Sequence, residues 1–431
     1  MLKKAKSTYQ EYPRAFKVLT LATFIDMLGG FLLIPFFALY ITEKFNVGMT
    51  EVGILFSINS AGNIMGGFIG GALADKFGRR KLILFGLIVS GIGNILMGLA
   101  DNLALFFLLA ALLGLIGSFG GPARQAMVSD LLPKEKQAEG FGILRISFNL
   151  SATFGPILGG ILAAQSYMLL FIADAVSSIV TAVIVFIVIP ETKPQKQDGE
   201  PEESIIKTVI GYKDVLKDWL YMTFLSVSAI MVIVYMQMNS TLAVFLRDIH
   251  GFPSTGFGLL LSMNALMVVI FQFWITRKIS KRNPMKMMML GTLFYFIGFG
   301  MYGFVSDVYL FFIAMILITI GEMIVTPIGT TIASFFAPED KRGRYMAMYG
   351  FHWSIPNLFG VLLAGLVWDF LGPFWVWYLA AILCTISMTG FWFLRTAAKE
   401  RLSKEIQPFL EIKQIDSFED TPEVYMVDRE S

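Results

Sequence analysis

The chain has 431 residues, 56% of them hydrophobic and 15% charged, and its mean hydropathy is +0.68. A water-soluble domain carries about a quarter charged residues, so this balance points to lipid as the surrounding medium. A net charge of +2 gives no grip on nucleic acid, and one cysteine with two histidines excludes an internal disulfide and a Cys- or His-built metal site.

Met1 to Lys17 is polar and charged, and no small-residue cleavage site follows the first apolar run, which therefore reads as a retained anchor. A helix needs about 20 apolar residues to cross a hydrocarbon core of roughly 30 Å. Runs of that kind fall at 18–42, 52–74, 82–100, 104–127, 141–163, 168–189, 219–246, 256–276, 287–305, 309–334, 345–367 and 374–394. The expectation is an all-α membrane protein with twelve transmembrane helices. With the N-terminus cytoplasmic, the inner connections collect Lys76, Arg79, Arg80, Lys81, Lys134, Lys136, Arg277 and Lys341, whereas the outer ones hold only Lys44 and Arg247. That asymmetry places both termini on the cytoplasmic side of a cell membrane, plasma or inner.

The polar, Pro-rich stretch 190–217 reads as a cytoplasmic linker running into an amphipathic helix from Ser204 to Lys217. It divides the chain into six-helix bundles at 1–189 and 218–395, followed by an acidic tail, 396–431, with the composition of a disordered segment. The bundles are copies of one unit. Asn59 and Asn264, Pro122 and Pro327, Pro133 and Pro338, Lys136 and Lys341, and Gly155 and Gly360 all lie 205 positions apart without a gap. Two parallel repeats of this kind put a substrate site between the halves near the membrane midplane.

Between the second and third spans stand Gly71, Asp75, Lys76, Gly78, Arg79, Arg80 and Lys81. Gly78 permits a tight turn, Gly71 a close helix approach, and Asp75 at the membrane edge suits a basic partner or a helix N-terminus. The string meets every defined position of the signature loop of the major facilitator superfamily and resembles it. On the fifth span, Gly155, Pro156, Gly159 and Gly160 resemble the antiporter motif of that superfamily's drug exporters, with Ser151 at the first glycine. Glycines and a proline in one membrane helix also serve plain close packing and a kink. Phe24-Ile-Asp26 with Pro35, Pro122-Ala-Arg124, and Gly321-Glu322 with Pro327 extend the likeness to the twelve-helix drug:proton antiporters. The resemblance implies the two-bundle fold, a monomer, and alternating access with a small molecule and a proton as partners.

Ionisable groups inside lipid are functional candidates. Asp26 lies about 15 Å into the first span and Glu322 about 20 Å into the tenth, by the 1.5 Å helical rise. Arg145, on the fifth span, could hold either acid ionised, receive an anionic group, or snorkel to the interface. Arg124 is expected nearer the surface, in an inner gate with Asp130. Asn149 lies one turn beyond Arg145. Asn59, Gln237, Asn264 and Gln272 line a cavity or tie helix to helix, and His352 reads as a helix-packing partner. Asp174 and Asp369 are placed at the outer interface. Without a Walker loop or a nucleophile constellation, neither ATP hydrolysis nor another enzyme activity is expected. The function expected is secondary transport, by proton-coupled efflux of lipophilic or cationic molecules; the alternative is a transporter of one metabolite, sugar derivative or lipid.

Overall fold

The computed structural model describes residues 11–192, 212–280, 282–338, 341–399 and 401, with only the backbone of Asp75 and Ala138. Every regular element among them is helical. In chain order these are α1 (Arg14–Leu33), a 3-10 turn (Ile34–Phe36), α2 (Phe37–Phe45), α3 (Met49–Phe77), α4 (Arg79–Leu99), α5 (Leu103–Gly117), α6 (Gly120–Leu131), α7 (Lys134–Gln165) and α8 (Tyr167–Val188). After the linker come α9 (Trp219–Met236), a 3-10 turn (Gln237–Asn239), α10 (Thr241–His250), α11 (Ser254–Ile279), α12 (Pro284–Met301), α13 (Val308–Phe336), α14 (Arg342–Leu371) and α15 (Pro373–Ala397). Of the expected amphipathic segment, 212–217 is helical and the remainder lies outside the described residues, as does the tail from 402.

Hydrocarbon offers no hydrogen bonds, so apolar runs close their backbone groups internally as helices. Their ends are fixed locally. Asn102 Oδ1 accepts from the Ala104 amide at 2.8 Å, Asp218 caps α9 through Tyr221, and Pro284 and Pro373 open α12 and α15 where no amide donor is needed. Among the described residues, eleven segments are long and apolar enough to cross a membrane. At the remaining expected position stands α12, 18 residues and about 27 Å long, in which Lys286 and small residues dilute the apolar character.

The repeat seen in the sequence is equally visible in the helix starts. Arg14 and Trp219, Met49 and Ser254, Arg79 and Pro284, and Leu103 and Val308 open corresponding helices, each pair 205 positions apart. The halves meet along two seams, α3 against α14 and α7 against α11.

Contact along those seams is confined to one end of the molecule. A Cβ on Gly53 would lie 2.4 Å from Leu362 Cα, on Gly365 2.2 Å from Met49 O, on Gly258 2.2 Å from Pro156 O, and on Gly160 2.8 Å from Ser254 O. Further along the same helices, a Cβ on Gly71, Gly142 or Gly350 would meet nothing within 4 Å. All hydrogen bonds between the halves among the described residues lie toward the first end, including Ser57 Oγ to Leu358 O, Ser60 Oγ to Asn357 O (3.1 Å), and the Ile157 amide to Ser262 Oγ (3.1 Å). Arg247 reaches Leu39 O at 3.0 Å, and Asp369 accepts from the Met49 and Thr50 amides at 3.1 and 2.8 Å. The buried core follows the same division. One cluster runs from Phe36, Tyr40 and Phe171 across into the whole C-terminal half, while Phe16, Leu82, Met127 and Val185 form a separate cluster at the other end of the N-terminal half. The protein is closed at this far end and open at the end that carries the basic connections.

Candidate functional site: buried charge in two unlike halves

At the open end the signature loop is an anchor within the N-terminal half. Gly78 has φ +104°, and a Cβ there would fall 2.5 Å from the Glu191 carboxyl, so glycine is required on both counts. Glu191 occupies that space because it caps α4, accepting from the Arg80 and Lys81 amides at 3.2 and 3.4 Å. Arg80 bonds Phe186 O and lies over the Phe186 ring. Lys76 lies 5.4 Å from the Phe77 ring centre. Buried Arg79 pairs with Asp130 at 3.2 Å, and Asp130 also accepts from Thr192 Oγ1 at 2.9 Å. The expected inner gate between Arg124 and Asp130 is therefore corrected: Arg79 takes Asp130. Gly71 makes no close approach here, and the Asp75 side chain lies outside the described residues.

The fifth-span glycines sit at the crossing of three helices. Gly155 and Gly159 pack against Phe31 and Leu32 of α1, whereas Gly160 and Pro156 O meet Thr255 and Gly258 of α11. Ser151, fully buried, donates to Phe24 O at 3.0 Å, so its hydroxyl ties α7 to α1 where the motif has glycine.

Arg124 lies deeper than expected because α6 continues seven residues beyond it. Its guanidinium pairs with Asp26 at 2.7 Å, with side-chain exposures of 14% and 20%. Ser178 Oγ donates to the second Asp26 oxygen at 3.3 Å. One turn away, Asp174 is buried and accepts a hydrogen bond from the Asn94 amide. Gly29, three residues beyond Asp26, makes room for it, since a Cβ there would lie 2.6 Å from Asp174 Oδ1. Helices α1, α4, α6 and α8 thus bring together two carboxylates and one cation. Sequence reasoning set Asp174 at the interface; the overlooked signal was the polar stripe Asp174, Ser178 and Thr181, at helical spacing in an apolar run.

In the C-terminal half, Asn264 donates to Glu322 at 2.9 Å and to Thr319 Oγ1 at 3.0 Å, and the Tyr235 hydroxyl engages the same carboxylate. Glu322 has no ion pair among the described residues. Arg145 joins neither acid: it is exposed on α7, without a hydrogen bond or ion pair among the described residues, and Asn149 accepts only Thr153 on its backbone oxygen, at 2.8 Å. Three other polar candidates tie helices together. Asn59 donates to Ala110 O at 3.1 Å, Gln272 to Met323 O at 3.0 Å, and buried Gln237 to Gly360 O at 3.1 Å while accepting from Thr241. His352 is buried, stacks on Tyr349 and bonds Tyr349 O.

The family model of the Major Facilitator Superfamily matches residues 19–355 and 238–419. The chain is 24% identical over 376 residues to a Na(+), Li(+), K(+)/H(+) antiporter of Planococcus maritimus, covering 81% of this chain and 88% of that one. It is also 24% identical over 346 residues to the multidrug resistance protein MdtH of Shigella flexneri, covering 80% and 84%. The crystal structure of a mutant of the nucleoside transporter NupG superposes with a TM-score of 0.75 at 13% identity, covering 88% of this chain and all of that one. A two-bundle helical fold, the complete signature loop and these matches make the chain a membrane transporter belonging to the major facilitator superfamily.

Proposed function

We propose that this transporter is a proton-coupled exporter of lipophilic or cationic small molecules, held here in its inward-open state. The observation that carries the reading is the Asp26–Arg124 ion pair inside the membrane. The pair ties α1 to α6 within the N-terminal half, so a change of charge on it changes how those two helices are held. With the basic connections cytoplasmic, the closed end faces outward, and the tail and the linker are cytoplasmic. When the seams part at the outer end, a proton reaching Asp26 neutralises it and loosens Arg124; reopening inward lets the proton leave and the pair re-form. Solute moves outward on the opposite phase. The names of the relatives agree with this, one being an antiporter with protons and the other a multidrug resistance protein.

Everted vesicles given a fluorescent cationic dye in the outer medium test the reading. Expected is accumulation that collapses with a protonophore and is lost in Asp26→Asn at normal membrane insertion. Full protonophore-sensitive transport in Asp26→Asn sinks it. A second reading, transport of one anionic metabolite, draws on Arg145. An exposed, unpaired guanidinium on a membrane helix is costly against lipid, so it belongs on the aqueous opening, where it could meet an anion. Exchange of an anionic metabolite that ignores pH and fails in Arg145→Gln would favour this reading.

A further inference from the structure

Among the described residues Asp174 is the most buried acid, 7% exposed, and exchange of a proton at Asp26 leaves it without a role. Its place follows from how α1 and α8 run. The two helices are antiparallel and in register: Thr181 Oγ1 donates to Ala22 O at 3.2 Å, Ser178 Oγ donates to Asp26 at 3.3 Å, and Asp174 Oδ1 borders the space beside Gly29. Asp174 thus stands one turn nearer the closed end than Asp26, about 10 Å along α8 from Tyr167.

Packing alone does not require an acid there. The positions 205 residues after Gly29, Asp174 and Ser178 carry Val234, Leu379 and Leu383, so the C-terminal half fills the same register with aliphatic side chains. The N-terminal half keeps a carboxyl, a hydroxyl and a glycine gap. A Cβ on Gly29 would collide with Ser177 Oγ and lie 2.6 Å from Asp174 Oδ1.

Charge balance sets what this cluster holds. Asp26 and Asp174 are close enough to act on each other electrostatically, and the two share one cation, Arg124. Asp174 has no ion pair among the described residues; Asn94 donates to one of its oxygens and, at 3.5 Å, to Ser90 Oγ. The ionisable groups of the other helices packed on α8 lie toward the open end: Arg79, Arg80 and Lys81 begin α4, and those of α7 stop at Arg145. An unbalanced charge is costly away from water, so two carboxyls beside one guanidinium hold a proton between them.

Ser178 connects the two acids. It sits four residues after Asp174 on the same face of α8, is 1% exposed, and already donates to Asp26 Oδ1. When the proton leaves Asp174, Ser178 Oγ takes it while the serine's own proton passes to Asp26 Oδ1. One O–H bond breaks at Asp174 and one forms at Asp26. The negative charge moves to Asp174, and Arg124 loses its partner. Aromatic rings shut this route from the outer side. Phe171, fully buried and three residues nearer the closed end, meets Tyr40 at 4.8 Å and Phe37 at 6.3 Å, both on α2. Arg247 of the C-terminal half grips α2 through Leu39 O and Thr42 Oγ1. Parting of the halves at that end frees α2 to lift its rings from Phe171 and lets water reach Asp174.

We propose that Asp174 is a second proton site, protonated first by water at the outer opening and passing its proton through Ser178 to Asp26. It goes beyond the exporter reading and rests on it for the direction of proton movement. Occupancy of the site is measured without transport.

The first test is infrared difference spectroscopy of purified full-length protein in detergent, moved from alkaline to acidic buffer. Expected is a protonated-carboxyl stretching band that Asp174→Asn removes, with unfolding scans confirming the fold. An unchanged band in folded Asp174→Asn overturns the site. The second test follows a fluorescent cationic dye in everted vesicles, whose lumen is the outer side. In Asp174→Asn and in Ser178→Ala, protonophore-sensitive accumulation should fall at least about tenfold more than dye-for-dye exchange, which moves no net proton. A parallel fall in both would make the two side chains structural and overturn the relay; Ser178→Ala carries this arm if Asp174→Asn does not fold. If both variants accumulate dye at the wild-type rate while Asp26→Asn fails, the relay falls and the exporter reading stands. If wild-type vesicles show no protonophore-sensitive accumulation, the exporter reading falls, and the infrared band alone decides whether Asp174 holds a proton.

Discussion

The two halves share a helix plan and differ in where they keep buried charge. In the N-terminal half, Asp26, Arg124, Asn94 and Asp174 form one polar cluster on four helices. At the corresponding positions of the first three, the C-terminal half has Met231, Gly329 and Phe299. Its own acid, Glu322, and the Thr319 beside it correspond to Gly117 and Gly114, although Asn264 and Asn59 match. Duplication therefore preserved the scaffold while the chemistry moved to different registers. A backbone tolerates this because each polar group needs only its own partners nearby, whereas helix starts and crossings depend on the whole bundle.

The sharpest way to break that comparison is to remove charge from one half. Arg124→Leu leaves the Asp26 carboxylate with Ser178 alone, and unpairing a buried ion costs about 3 kcal/mol or more. Met231→Leu, at the position matching Asp26, is a volume-conserving swap and should cost under about 1.5 kcal/mol. Denaturant unfolding in detergent measures both. An Arg124→Leu protein as stable as wild type would mean the pair contributes nothing.

Next in size is the contrast between the two ends of the seams. Gly258→Leu forces a side chain into Pro156 O and should drive the far end apart, at a cost of about 1–3 kcal/mol for overpacking. Gly350→Leu, on a seam helix at the open end, should leave this conformation untouched. Spin-label distances across the far end, between positions 44 and 248, would lengthen only in the first. Equal distances in wild type and Gly258→Leu would show that the seam yields without opening.

How much of this was legible beforehand divides along the same line. Twelve runs, the repeat and the signature loop could be read from apolar length and a constant offset, both of which are local or periodic. The pairing of Asp26 with Arg124 spans 98 positions and two helices, and nothing in the text of either helix names the other. Arg124 was expected near the surface because the fourth apolar run reads as ending at 127; the helix that carries it continues to Leu131. Asp130 was misassigned for the same reason, since its partner Arg79 is supplied by a tertiary contact.

Asn94 and Asp369 give smaller effects at opposite ends of that argument. Asn94→Leu strips buried Asp174 of the donor that engages its side chain and should cost about 1–3 kcal/mol. Asn63→Ala, exposed and bonded only within its own turn, should stay within about 0.5 kcal/mol. Asp369→Ala removes a carboxylate cap that α3 receives from the other half. Caps contribute about 0.5–2 kcal/mol, and this one exists only while the far end is closed. The variant should therefore shift the balance toward the outward-open state by up to about tenfold, read as faster labelling of a cysteine placed at the half-buried seam position 254. Unchanged labelling would show that Asp369 holds no part of the closure.

The smallest expected effect is where the halves agree. Lys136 pairs with Glu11 at 2.9 Å and Lys341 with Asp214 at 3.0 Å, so matching lysines latch the approach to the first helix of each bundle to its fifth. Both pairs are solvent-exposed, and such pairs contribute little and are screened by salt. Lys341 beside it holds the Asp214 carboxyl below its ordinary range. A depressed carboxylate stabilises the fold above the unfolded-state value, near pH 4, and loses that contribution as pH falls through the folded value. Lys341→Met should thus lower Tm slightly at pH 7 in low salt and leave it unchanged in high salt or strong acid. The Lys136→Met protein should behave alike if the latch is a property of the repeat. A drop in Tm that persists in high salt would mean the lysine acts through packing, and the symmetry of the two latches would then be one of sequence only.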